Sequence, residues 1–109
     1  MAIKGNIVID QGSDYQVTVS VENSNNASVN LAGYSASAQM RKHYSSLTYY
    51  TFTTEVDNQL GAVVLSMSAN TTNNIPAGRY VYDCEITSNE GIKTRLIEGI
   101  VTVSPQVTR

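Results

Sequence analysis

A chain of 109 residues with a formal net charge of −2 is long enough for one modest core and too short for two, so a single domain over residues 1–109 is expected. Only 15% of its residues are charged, below the roughly 25% of an average soluble protein, and Ser, Thr and Asn make up the difference. The cations are scattered, which argues against a nucleic-acid surface; no apolar run approaches the ~20 residues of a membrane-spanning helix; and a lone cysteine, Cys84, excludes an intrachain disulfide or a multi-cysteine zinc site.

The N-terminal stretch Met1 to Gly5 lacks the charged-then-apolar design of a signal peptide, so synthesis in the cytosol is expected. Ile3 to Ile9 reads as a first strand with Ile3, Ile7 and Ile9 on one face, and Gly5 inside it marks a bulge or a close backbone approach. Asp10 to Asp14 is a turn. Its two carboxylates flank a glycine, as in calcium loops at sandwich ends, but no organised series of ligands follows and a plain hydrogen-bonded turn is expected. Tyr15, Val17, Val19 and Val21 then alternate with Gln16, Thr18, Ser20 and Glu22, the pattern of a half-buried strand. A polar loop over 23–28 and a turn at Gly33 lead to Tyr34, Ala36, Ala38 and Met40, which share an inward parity.

Lys42 to Thr48 reads as an exposed loop and Tyr49 to Glu55 as a strand. After a turn at 57–61, Ala62 to Met67 is a short apolar strand; Ser68 to Asn74 suits one helical turn across the end of the fold, with Ile75 plugging the core. Pro76 and Gly78 make a turn from which the central strand starts at Arg79. Tyr80, Tyr82, Cys84 and Ile86 fall on its covered face, with Cys84 a small apolar core residue, while Val81, Asp83, Glu85 and Thr87 fall on its open face. Asn89 to Gly91 turns the chain into a last strand, Ile92 to Val103. Its apolar phase shifts along the way, which predicts a bulge near Glu98-Gly99, and Pro105 ends it.

Seven or eight short strands with regular turn signals predict an all-β protein, an antiparallel β-sandwich of immunoglobulin-like type. Gly78-x-Tyr80 resembles the tyrosine corner of such folds, although Tyr82 stands where antibody domains place a cysteine and the chain has no tryptophan.

Further motifs carry a resemblance over nearly the whole chain. The series Asp10-Gln11-Gly12-Ser13-Asp14, Leu31-Ala32-Gly33-Tyr34, Met40-Arg41-Lys42, Ile75 to Asp83, Arg95-Leu96-Ile97-Glu98-Gly99 and Val103-Ser104-Pro105 resembles a family of small tailed-bacteriophage structural proteins. It is similar, more loosely, to the N-terminal β-sandwich domain of upper baseplate proteins of phages infecting lactic-acid bacteria. The resemblance implies a virion component of tail, baseplate, fibre or head-accessory type, made in the host cytoplasm, with other virion proteins as partners, a homo-oligomer on the particle as an option, and no catalytic residues or cofactor.

The residues themselves point away from an enzyme. His43, the single histidine, lies beside Ser45 and Ser46, but nothing in the spacing supplies the orienting carboxylate of a triad. Asp83 and Glu85 share an open strand face, where solvation or pairing with Arg or Lys across the sheet is the expected role, ahead of a glycosidase pair. The surface candidates are His43, Tyr44, Tyr49 and Tyr50 in the middle of the chain, with Ile3, Lys4, Val107 and Arg109 at its ends. Tyrosines there serve as anchors for a neighbouring protein or as stacking platforms for sugar rings, and Tyr50 has the alternative of packing in the core. Two functions follow: a structural protein docking onto virion subunits, or a module binding carbohydrate or the host surface. Neither involves nucleic acid or membrane.

Overall fold

The computed structural model describes residues 3–21, 30–58 and 61–108. Strands form where β-branched and aromatic residues alternate with polar ones: β1 (Ile3–Lys4), β2 (Ile7–Asp10), β3 (Tyr15–Ser20), β4 (Ser35–Arg41), β5 (Tyr50–Thr51), β6 (Thr53–Asp57), β7 (Ala62–Met67), β8 (Gly78–Thr87) and β9 (Lys93–Ser104). One short helix, α1 (Ala69–Asn73), joins β7 to β8. The chain is an all-β sandwich. One sheet has six strands in the order β1-β9-β8-β4-β5, with β2 also beside β9; the other has three, β3-β7-β6. The ladders are antiparallel except at one edge, where β1 and β2 run parallel to β9.

The described residues form nine strands because two of the expected runs are broken. The first breaks at Gly5-Asn6, where the N-terminal segment is pressed against Gly99: a Cβ on Gly99 would penetrate the Gly5 carbonyl, and Gly5 N–H donates to Glu98 O at 2.9 Å. Beyond the break, Ile3 does not share the buried face of Ile9 as expected. It is 55% exposed, because β1 is an edge strand and its neighbour Ile97 is itself only half-buried. The second break is at Phe52. Its N–H donates to Ala38 O at 3.0 Å, the chain then leaves the larger sheet, and Thr53 pairs with Ser66 of the smaller one. Phe52 thus crosses between the layers, fully buried, with its ring 6.2 Å from that of Tyr82.

β8 lies between β4 and β9 and sets the register of the larger sheet. Tyr80, Tyr82, Cys84 and Ile86 are buried as its alternation requires. The Tyr80 hydroxyl donates to Pro76 O at 2.6 Å, four residues back, which is the bond of a tyrosine corner. Facing this layer are Val19, Val63, Leu65 and Met67 of the smaller sheet, and Ile75 closes the end of the core. α1 is short and held at its start: Ser68 Oγ accepts from Thr71 N–H at 3.3 Å, and Asp14 Oδ1 from Ala69 N–H at 2.6 Å.

The bulge in β9 sits earlier than the phase shift suggested. Cys84 faces Ile97 and Glu85 faces Arg95, so the extra residue is Leu96, not Glu98 or Gly99. Leu96 is buried beside the half-buried Ile97, two neighbours directed to one side, as a bulge allows. Gly99 serves the close approach to Gly5 instead. The expected loop over 23–28 lies outside the described residues, as does Arg109.

Candidate functional site: the outer face of the larger sheet

The alternation that turns Met40, Tyr82 and Val101 inward sends their neighbours out. Asp83 stands between Gln39 of β4 and Glu98 of β9, and Glu85 between Ser37 and Arg95. Arg95 and Glu98 are three residues apart and would point to opposite faces of an unbroken strand; the bulge at Leu96 puts both outside. With Arg41 and Tyr44, Gln39, Asp83, Glu85, Arg95 and Glu98 line a shallow concavity of about 350 Å³.

Three of the charges lining the concavity, Asp83, Arg95 and Glu98, are ion-paired. Arg95 Nη1 donates to Glu98 at 2.9 Å and its Nε lies 3.5 Å from Asp83, while Lys4 donates to the other Glu98 oxygen. Hydrogen bonds from Lys4 and Arg95 hold the Glu98 carboxyl below the usual carboxylate range. Asp83 moves the other way, because partial burial raises it against the pull of Arg95. Of the two alternatives, solvation or cross-sheet pairing, Asp83 takes the pairing, though Arg41, Arg95 and Glu98 were not singled out from the sequence.

Arg41 also shapes the loop that follows β4. Its guanidinium donates to Ser46 O and to Gln39 Oε1, the latter at 3.1 Å, and lies 4.8 Å over the Tyr49 ring. Ser46 N–H donates to His43 O at 3.0 Å and closes a turn at the loop's tip. Held in this way, residues 42–49 present Tyr44, 85% exposed, and Leu47, 93% exposed.

The expected surface residues therefore separate. Tyr44 and Lys4, distant in sequence, meet at one concavity, Tyr44 lining it and Lys4 bonded to Glu98 at its rim. His43 is exposed, and its backbone N–H donates to Ser46 Oγ at 3.0 Å, leaving the ring outside any bond to a serine. Tyr49 is exposed beneath Arg41. Tyr50 turns inward, its ring edge-on to Tyr80 at 6.2 Å, so it braces the core and presents little to a partner. Ile3 is exposed on the edge strand, and Val107 is 92% exposed on the tail, which Gln106 ties to Gln11 through a 3.1 Å bond.

This arrangement suits recognition through paired charges and an exposed ring. Among the described residues no group of three His, Cys, Asp or Glu side chains is placed to hold a metal ion, and no helix is long and apolar enough to cross a membrane. No known family model matches the chain, and no curated protein matches it. The resemblance to tailed-phage structural proteins rests on its residues alone.

Proposed function

We propose that the chain is a non-enzymatic structural protein of a tailed-bacteriophage virion, a tail, baseplate, fibre-attachment or head-accessory component that docks onto neighbouring subunits. The sequence resemblance supplies the class of particle, and within the sandwich the tyrosine-corner bond favours the immunoglobulin-like type. The observation that carries the docking role is the loop over 42–49: two large apolar side chains, Tyr44 and Leu47, stand almost fully exposed on a stem fixed by Arg41. A rigid loop loses little entropy when it is buried, and repetition on a symmetric particle multiplies weak contacts. Cryo-electron microscopy of phage particles encoding the chain tests this. Density for the sandwich with residues 42–49 at a subunit contact is expected, and absence from the intact particle overturns the reading.

A second reading, a carbohydrate- or host-surface-binding module, is favoured by the Tyr44 ring beside Gln39, Asp83 and Glu85 in one concavity. Glycan-array binding that disappears in Tyr44→Ala with the fold intact would establish it in place of the first.

A further inference from the structure

The edges of the two sheets differ in how they are protected from pairing with another strand. β1 and β2 are short, broken at Gly5-Asn6, and carry Lys4 and Asp10; β5 has two residues; β6 carries Glu55 and Asp57. β3 is different. It runs six residues, Tyr15–Ser20, without charge, proline, glycine or bulge, and among the described residues it pairs with β7 alone. An unprotected edge of this kind is a template for strand addition.

The free groups can be identified. Val21 N–H donates to Gly61 O at 2.8 Å, continuing the register in which Tyr15 faces Met67 and Val19 faces Val63. Hydrogen-bonded pairs alternate in an antiparallel ladder, so the backbone groups of Tyr15, Val17 and Val19 point at β7 and those of Gln16, Thr18 and Ser20 point away. Among the described residues no hydrogen bond reaches the outward groups.

We propose that β3 is a homodimerisation strand: a second copy of the chain pairs its own β3 antiparallel to the first, about a two-fold axis at Thr18, and merges two three-stranded sheets into one. The strand is complementary to itself. With the axis at Thr18, Gln16 faces Ser20 and Val17 faces Val19 of the second copy, so every outward N–H and C=O finds a partner. On the core side valine meets valine, and Val17, half-buried in the single chain, is covered. On the outer side Thr18 meets Thr18 and Gln16 meets Ser20, so within the paired segment 16–20 no charge opposes a like charge. A neutral edge offers a charged strand no electrostatic partner, whereas its own copy matches it from Gln16 to Ser20. This assignment goes beyond the virion reading and is tested on purified chain, so the failure of one leaves the other standing.

Sedimentation equilibrium of the wild type, Thr18→Lys, Thr18→Glu and an equimolar mixture of the two variants tests it. Thr18 is exposed, so both variants keep the fold, as circular dichroism will verify. A concentration-dependent dimer is expected for the wild type, a dissociation constant raised by at least about tenfold for each variant alone, and recovery in the mixture, since like charges facing across the axis repel and opposite ones attract. Amide exchange gives a variant-free check: Gln16, Thr18 and Ser20 become protected as concentration rises, whereas Val17 and Val19 are protected throughout. A wild type that stays monomeric at millimolar concentration, variants that dimerise as well as the wild type, folded variants that fail to recover on mixing, or outward amides whose exchange ignores concentration would each overturn the proposal.

Discussion

Thr72 lies fully buried where α1 meets the turn after β2. Its hydroxyl donates to Ser13 O at 2.8 Å and accepts from Gly12 N–H at 3.0 Å, so one oxygen satisfies two groups of a turn that faces the core. Thr72→Val keeps the shape and removes both bonds. The expected loss is about 1–3 kcal/mol, the cost of leaving buried polar groups without partners; Thr72→Ser keeps the bonds and loses less, and urea unfolding of the two variants measures the difference. Cys84 makes a pH prediction. Its thiol is buried, which raises it to about 11. In the unfolded chain it ionises near its ordinary value of about 8.5. A group raised on folding contributes its full stability below the unfolded value and loses it as pH climbs to the folded one. Unfolding free energy is therefore expected to fall by about 3 kcal/mol between about pH 8 and pH 11, with Tyr82, pushed up to about 12 by burial, joining at the alkaline end. Cys84→Val removes the first part of the slope. Urea titrations across that range, with thiol trapping to show that the folded protein is inert near pH 8, check it.

Elements in this fold are positioned by a few points of contact along β9. Gly99 lets the N-terminal segment approach, and the hydroxyl of Tyr82, its cross-strand partner, donates to the Gly5 carbonyl, so a residue of the central strand holds the break between β1 and β2. Gly99→Ala is expected to push that segment off β9 and destabilise the protein by about 1–3 kcal/mol, the usual cost of overpacking; amide exchange should show protection lost over β1 and β2 and kept in β8. The same strand shows where sequence reading stopped. Alternation located the inward tyrosines of β8 and the valines of β3, because a period of two needs only neighbouring residues. It did not bring Arg95 and Glu98 to one face, because a bulge reverses parity and its position depends on which residues of β8 and β9 face each other. A phase shift between Leu96 and Val101 showed that one was needed, and Gly99 drew it to the wrong residue because a glycine serves close approach as well as bulging. The concavity was therefore hidden, although Asp83 and Glu85 were seen to share its face.

At the scale of the molecule, the two-sheet sandwich was legible because strand length, turn residues and alternation agree. The meeting of Lys4 with the loop after β4 was not, since it depends on the parallel pairing of β1 with β9, which no local pattern encodes. The separate fates of three neighbouring tyrosines also follow from long-range structure: Tyr50 pairs with Met40 and turns onto Tyr80, Tyr49 lies under Arg41, and Tyr44 reaches out from the loop. The division separates stability from assembly. Tyr44 and Leu47 contribute almost nothing to the core, so the double variant Tyr44→Ala, Leu47→Ala is expected to unfold within about 0.5 kcal/mol of the wild type. Anchors of an interface carry most of its energy, so under the proposed function the same variant should fall by at least about tenfold in copies per particle when it complements a phage lacking the wild-type chain, as counted by quantitative mass spectrometry. Tyr50→Ala makes the converse control, because it opens a gap against Tyr80 and should lower stability first. Full occupancy by the double variant would remove the loop from the docking surface and direct attention to the concavity itself.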